Sequence, residues 1–240
     1  MFYSYRFKRR YNMRDPNWRC PVFGLDDTYI DAQQQVFAGF GHVDQLQLRH
    51  RLFADRQFSA PLQREVVRRP AAVGVLIHDP QQACFLLIEQ FRVGALADPI
   101  SAWQLEVVAG LVDHGESTEQ AAIREAYEET GITLSQLDLI YQFYPSVGGC
   151  DEQFTLYAAT ADLRDVSGVF GAADEGENIL LHVIAYTELE LVLQSNRLRN
   201  APVIIALQWL HQQRQQQQHS AQPHRPEQLP IGDRLCRAEG

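Results

Sequence analysis

Short apolar runs separated by polar residues dominate the middle of the chain and predict a β-sheet. The runs Ala72–Ile77 and Cys84–Gln90 are apolar and rich in strand-forming residues, and they flank a His-Asp-Pro-Gln tetrapeptide at residues 78–81. Because Asp-Pro favours a turn, the two runs are predicted to form a hairpin. The same pattern predicts further strands at residues 104–108, 137–144, 153–161 and 179–185.

Helical signals occur between these strands and after them. A helix is predicted between residues 117 and 131, and a second at Thr187–Gln194. Asn200-Ala201-Pro202 is typical of the start of a third helix, which runs through VIIALQWLHQQ. This order of elements predicts an α/β/α sandwich around a mixed sheet.

The ends of the chain have a different character from this body. Residues 26–70 contain β-rich runs with little core of their own, and such pieces usually pack on a neighbouring domain or another subunit. The basic, aromatic start is expected to be a poorly ordered extension, with a partner anchor or a start at Met13 as alternatives. The predicted organisation is an extension at 1–25, a small β domain at 26–70, the α/β/α domain at 71–212 and a disordered Gln- and Pro-containing tail at 213–240.

Composition narrows the possible functions. The formal net charge of −9 argues against a nucleic-acid-binding surface spread over the molecule. It leaves an anionic small-molecule substrate open, because a bound divalent cation can reverse the local charge. Four widely spaced cysteines without a CxxC pair, no membrane-length apolar run and no secretory signal predict a cytoplasmic protein without a membrane partner.

The predicted helix after residue 117 carries an acidic cluster. Ser117 with Gln120 three residues later is typical of a capping box, and Gly131 suits the left-handed residue that ends a helix. Between them, Glu125, Glu128 and Glu129 share one face near the C-terminal end.

Such a cluster is electrostatically unfavourable, because the negative charges repel each other. They are also repelled by the negative, C-terminal end of the helix dipole. Arg124 can offset Glu128 four residues away, whereas Glu125 and Glu129 have no such cation within the helix. Mg²⁺ prefers oxygen ligands and fits this gap. A solvated acidic face is the alternative, but a glycine-bounded loop, Gly110–Glu116, brings one more acid to the helix start.

The whole segment, G110-x5-E116-x7-R124-E125-A126-x-E128-E129-x-G131-I132, resembles the Nudix box GX5EX7REUXEEXGU at every specified position. The resemblance implies hydrolysis of a nucleoside diphosphate joined to another group, with Mg²⁺ as cofactor and Mn²⁺ as a substitute. It implies that Glu125 and Glu129 bind metal and that the Ala109 carbonyl and Glu128 assist them. The resemblance also makes Glu125, Glu129 and Arg124 expected catalytic residues. Support is expected from Glu116, which with Arg124 braces the loop on the helix, and from Gly110 and Gly131.

A second acidic cluster, Asp174-Glu175-Gly176-Glu177, ends a glycine-rich stretch that begins at Gly168. Small residues predict a mobile loop whose acids can close over a ligand, and a solvated acidic loop is the alternative. By resemblance to the same family, Glu175 is expected to be the catalytic base and Glu177 a further metal ligand.

Residues outside the box indicate the substrate. From about Thr28 to Leu210 the chain resembles bacterial ADP-ribose pyrophosphatases, in runs such as RHRLF, LLIEQFRVGA and NAPVIIALQWL. That resemblance implies a homodimer that exchanges N-terminal strands, and cleavage of ADP-ribose to AMP and ribose 5-phosphate. It implies that Arg64 and Phe40 bind the adenosine end and that Arg92 binds the diphosphate or terminal ribose. Further substrate contacts are expected at Leu111 and Ser146.

One segment departs from the family pattern. The usual Ser-Pro-Gly-Gly is here Pro145-Ser146-Val147-Gly148-Gly149, with the proline displaced by two positions. The displacement weakens this segment as a marker of ADP-ribose. GDP-mannose pyrophosphatases carry the same usual form, so the marker does not separate these two substrates. Another nucleoside diphosphate sugar, such as GDP-mannose or another ADP-sugar, is an alternative substrate. A sensor that binds ADP-ribose without cleaving it is the alternative from another functional class.

Overall fold

The computed structural model describes residues 21–39, 41–171 and 176–221, with side chains to residue 218. These residues form two compact units. The first contains the described residues up to Arg69 together with Ser146–Glu152, and the second contains Pro70–Pro145 together with the described residues from Gln153 onward. The segment that carries Ser146 thus groups with the N-terminal part of the chain, although it is distant in sequence.

The first unit is a three-stranded antiparallel sheet in the order β1-β2-β3. Its strands are β1 (Thr28–Ala38), β2 (His42–His50) and β3 (Leu62–Arg68). Every residue of β1 is exposed, so this strand contributes no buried side chain among the described residues. Arg68 joins the unit together by donating to Asp44 at 2.8 Å and to Asp151 at 2.9 Å, and it holds the pKa of both carboxyl groups below the ordinary value.

The second unit is a mixed sheet with helices on both faces, and the predicted mixed α/β architecture is confirmed. The strand order is β10-β11-β5-β4-β9-β8, with β6 beside β5 and β7 beside β4. The β4–β9 pair is parallel and the other pairs are antiparallel. The elements are β4 (Ala72–Asp79), β5 (Cys84–Phe91), β6 (Trp103–Glu106), β7 (Val108–Leu111), α1 (Thr118–Thr130), β8 (Asp138–Phe143), β9 (Phe154–Thr160), β10 (Val169–Phe170), β11 (Ile179–Ala185), α2 (Leu189–Gln194) and α3 (Ala201–Ala221).

Alternation along the central strands produces two hydrophobic layers. In β5, Leu86 and Ile88 pack with α1, whereas Phe85 and Leu87 pack with α2 and α3 on the opposite face. Both sets are almost completely buried. Since side chains of a strand alternate between faces, a continuous apolar run is what a strand covered on both sides requires.

The sheet opens at the end where β4 begins and β5 ends. The two strands pair with each other only at His78–Phe85 and Asp79–Cys84, beside the predicted hairpin turn. Further along, β7 pairs with β4 and β6 pairs with β5. The single strand predicted at 104–108 is therefore two strands separated at Val107, and this divergence places the segment around Ala109 beneath α1.

The third helix is longer than predicted. It continues past Gln212 to Ala221, so the start of the stretch assigned as a disordered tail is helical, while residues 222–240 lie outside the described part. Glutamine and arginine are good helix formers. In addition, the Arg214 Cζ lies 3.9 Å from the centre of the Tyr186 ring, and this contact stabilises the helix beyond Gln212. Within the described residues, no helix is long and apolar enough to span a membrane.

Candidate functional site

The acidic helix α1 has the ends that its sequence predicts. The Ser117 hydroxyl accepts a hydrogen bond from the Gln120 amide at 3.2 Å, and the Gln120 side chain accepts one from the Ser117 amide at 2.9 Å. Gly131 ends the helix at φ 73°, a left-handed conformation that glycine adopts without strain. These caps fix where α1 begins and ends.

Arg124 is the centre of a charged network on one side of α1. Its guanidinium group holds Glu116 through two hydrogen bonds of 3.1 and 3.0 Å and donates to the Leu111 carbonyl at 3.0 Å. It also donates to Glu128 at 3.0 Å and to Glu125 at 2.7 Å. The expectation that Glu125 has no cation within its helix is therefore wrong, because the adjacent arginine reaches it. Together these contacts raise the pKa of Arg124, with the Glu116 contact contributing most.

Glu129 lies on the buried side of the same helix and is only 2% exposed. Its Oε2 accepts a hydrogen bond from the Ala109 amide at 3.1 Å. Within the described part of the chain, no arginine, lysine or histidine lies within ion-pair distance of this carboxylate. Burial raises its pKa to about 8, and the charges of Glu125 and Glu177 add to the effect.

Gly110 allows the loop to approach Glu125. A Cβ atom at this position would lie 1.9 Å from Cδ and Oε1 of Glu125, so any larger residue would displace the carboxylate. Burial raises the pKa of Glu125 as well, although its contact with Arg124 opposes the rise. The close approach explains in physical terms why the loop needs glycine beside the helix.

Arg92 is held at the end of β5 by Glu106 of β6. The guanidinium group makes hydrogen bonds of 2.7, 3.1 and 3.2 Å to this carboxylate. Burial lowers the pKa of Arg92, but the contact with Glu106 and the charges of Glu129 and Glu177 raise it overall. Glu106 is not among the residues predicted from the sequence, although its place four residues before Gly110 is a signal that could have indicated it.

Of the remaining predicted residues, two lie in the first unit and two lie outside the described residues. Arg64 lies on β3 of the first unit and donates to the Gln63 carbonyl at 2.7 Å. Ser146 also belongs to the first unit, where its carbonyl accepts from the Gly149 and Cys150 amides. Phe40 and Glu175 lie outside the described residues.

The carboxylates of the second unit fit a hard divalent cation. The charge of Glu177 adds to the raised pKa of both Glu125 and Glu129, the charge of Glu125 adds to that of Glu129, and the adjacent β7 backbone includes the carbonyl oxygen of Ala109. Carboxylate and carbonyl oxygens are the ligands that Mg²⁺ prefers. In the described part of the chain, no three His, Cys, Asp or Glu side chains form a ready cage for a metal ion. Carboxylates repel each other, and Arg124 already pairs with Glu125 and with Glu128.

Comparisons with known proteins agree with this arrangement. The family model for the NUDIX domain matches residues 68–207. The ADP-ribose pyrophosphatase of Escherichia coli strain K12 is 36% identical over 189 residues, which cover 79% of this chain and 90% of that protein. The ADP-ribose pyrophosphatase of Haemophilus influenzae is 35% identical over 191 residues, covering 78% and 88%. The GDP-mannose pyrophosphatase of Citrobacter koseri is 29% identical over 151 residues, covering 62% and 77%. The chain therefore belongs to the Nudix family.

Proposed function

We propose that this protein is a Mg²⁺-dependent Nudix hydrolase that cleaves the diphosphate of ADP-ribose into AMP and ribose 5-phosphate. The observation that carries the proposal is the group of carboxylates at Glu125, Glu129 and Glu177 beside the Gly110 loop. The substrate follows from the ADP-ribose pyrophosphatases that match most of this chain.

The proposed metal ligands are Glu125, Glu129, Glu177 and the Ala109 carbonyl, with Glu128 assisting, and Mn²⁺ can replace Mg²⁺. When bound, the metal supplies positive charge that offsets the diphosphate and lowers the pKa of the attacking water. The buried Glu129 and the half-buried Glu125 suit this role because a nearby cation would restore their ordinary ionisation.

Other residues of the chain would position the carboxylates, bind the substrate and activate the water. Arg124 and Glu116 hold the loop against α1, which keeps the metal-binding carboxylates in place. Arg92, oriented by Glu106, would bind the diphosphate or terminal ribose. Glu175 would orient or deprotonate the water that attacks the adenosyl phosphorus in line, so that ribose 5-phosphate leaves.

A substrate panel tests the reaction. Wild-type protein with Mg²⁺ would be given ADP-ribose, GDP-mannose, another ADP-sugar and a dinucleotide, and the products identified by mass. We expect ADP-ribose to have the highest kcat/KM, and reaction in ¹⁸O-water to place the heavy oxygen in AMP. Label in ribose 5-phosphate would contradict attack on the adenosyl phosphorus.

GDP-mannose is the second candidate substrate, because the Citrobacter koseri relative is a GDP-mannose pyrophosphatase. A higher kcat/KM for GDP-mannose in the panel would select this candidate. Binding of ADP-ribose with no product from any substrate would instead select the sensor.

We also propose that the protein works as a cytoplasmic homodimer in which Arg64 and Phe40 bind adenosine and Leu111 and Ser146 complete the substrate contacts. Support for a dimer comes from β1, which leaves large apolar side chains exposed in the single chain, namely Tyr29, Ile30, Val36 and Phe37. Sedimentation of wild type and Ile30→Glu checks this. A dimer that becomes monomeric on substitution is expected, and a monomeric wild type would contradict the proposal.

A further inference from the structure

A buried glutamine at the end of β5 has a side-chain NH₂ group without a hydrogen-bond partner among the described residues. Gln90 is 5% exposed, and its Nε2 has no hydrogen-bond acceptor among the described residues. Buried amide groups are nearly always paired, because an unpaired donor loses its hydration without compensation. A donor of this kind at a substrate site indicates an acceptor supplied by a ligand.

The neighbouring strand offers a direct comparison. Gln104 of β6 is paired in register with Gln90 and is equally buried. Its Nε2, however, donates to the Ser101 carbonyl at 2.6 Å. Within the described part of the chain, the NH₂ group of Gln104 thus has an acceptor and that of Gln90 has none.

Strand alternation shows which way Gln90 faces. Leu86 and Ile88 pack in the layer that contains α1, and Gln90 follows them at the same two-residue spacing. Ile88 is paired with Glu106, and Glu106 holds Arg92 on this side of the sheet. Arg92 in turn interacts electrostatically with Glu129 and Glu177, so this end of β5 faces the acidic cluster.

Resting on the proposed function, we infer that Gln90 is a substrate-binding residue whose Nε2 donates a hydrogen bond to an oxygen of the diphosphate, beside Arg92. A phosphate oxygen is an acceptor and satisfies the unpaired donor. A neutral amide can do this without competing with the cations that the carboxylates would hold. The free energy lost by leaving the donor unpaired in the free protein is then recovered when substrate binds.

Replacing each glutamine by methionine, which has a similar shape and no amide, separates a binding role from a structural one. Gln90→Met should lower kcat/KM for ADP-ribose about tenfold, mainly through KM, while Tm stays unchanged or rises. Gln104→Met should lower Tm and leave KM near the wild-type value, because it removes only an internal hydrogen bond. Gln90→Glu, which keeps the side-chain length but removes both donors, should raise KM at least as much as Gln90→Met.

A binding measurement keeps this inference separate from the proposed function. Calorimetry would compare ADP-ribose binding by Glu129→Gln and by the double variant Glu129→Gln/Gln90→Met, neither of which is expected to turn over. A Kd about tenfold weaker in the double variant supports the inference even if wild type proves to be a sensor. Equal Kd values, or a wild-type KM together with a lower Tm in Gln90→Met, would overturn it and leave Gln90 a structural residue. Failure of wild type to cleave any diphosphate would overturn the proposed function alone.

Discussion

The two sides of the acidic cluster on α1 balance their charge in different ways. On one side, Arg124 contacts Glu116, Glu125 and Glu128 within hydrogen-bond distance, so the charges are compensated inside the protein. On the other side, the buried Glu129 has an amide partner at Ala109 and a pKa raised to about 8.

The difference distinguishes residues that hold the Gly110 loop on the helix from a residue proposed to bind a metal ion. The Arg124 side is complete without a ligand and holds the Gly110 loop on the helix. The Glu129 side is electrostatically unfavourable until a cation arrives, and a site of this kind gains stability when it binds one. Substitutions on the two sides are therefore expected to have different effects.

The largest effect is expected from Glu129→Gln, which replaces the buried carboxyl group by an amide that cannot ionise when a cation binds. Mg²⁺-dependent turnover of ADP-ribose should fall by about 10³-fold or more, because the substitution removes a proposed metal ligand. The circular-dichroism spectrum should be unchanged. Glu119→Gln, an exposed acid at the other end of α1, is the matched control and should retain activity. Retained activity in Glu129→Gln would remove this residue from the site.

Gly110→Ala tests whether activity depends on the close approach of the Gly110 loop to α1. The new Cβ would overlap the Glu125 carboxylate, and its displacement should lower kcat on the order of 100-fold. Gly24→Ala is the control, since no atom lies within 4 Å of a Cβ there. Equal kinetics for both variants would show that the position of Glu125 is unimportant.

Arg124→Lys keeps the positive charge but removes hydrogen bonds that hold the Gly110 loop on α1. Lysine cannot hold Glu116 through two hydrogen bonds and also reach the Leu111 carbonyl, so both Tm and kcat should fall, kcat by roughly 10- to 100-fold. Arg164→Lys, at an exposed ion pair with Asp162, should change neither. A loss of activity without any fall in Tm would argue against a role in holding the loop.

Glu106→Gln extends the comparison to a charge pair beside the site. Arg92 would keep one neutral partner but lose the charged one, and KM for ADP-ribose should change by roughly tenfold while kcat changes less. Steady-state kinetics would measure both. A change confined to kcat would contradict a role for Arg92 in binding substrate.

The smallest effect is a pH dependence of metal-free stability. A carboxyl group whose pKa is raised from 4.5 to about 8 by folding stabilises the protein fully below pH 4.5, and this contribution is lost as pH rises toward 8. In EDTA, Tm of wild type should therefore fall over this range more than Tm of Glu129→Gln. By pH 8.5 the extra fall in Tm of wild type should be about 10–20 °C, because a pKa raised from 4.5 to about 8 corresponds to about 5 kcal/mol and each kcal/mol to about 2–4 °C. Parallel curves would show that Glu129 is not protonated in the folded protein.

Much of the second unit could be predicted from local patterns. The apolar runs of β4 and β5 and the capped helix α1 are determined by neighbouring residues, so their boundaries agree closely with prediction. The division of residues 103–111 into β6 and β7 could not be predicted, because it depends on the divergence of β4 from β5. The length of α3 was underestimated because the contact of Arg214 with Tyr186 joins residues distant in sequence.

The same distinction applies to the site. The sequence by itself determined the box and the shared helix face of Glu125 and Glu129, because helical periodicity is a local property. Only the tertiary structure decided that Arg124 reaches Glu125, that the Ala109 amide meets Glu129, and that Glu106 holds Arg92. The last two contacts depend on strand register and helix packing, and the first on a side-chain conformation, none of which a linear pattern contains. For the same reason, the unpaired amide of Gln90 became visible only once the sheet was assembled.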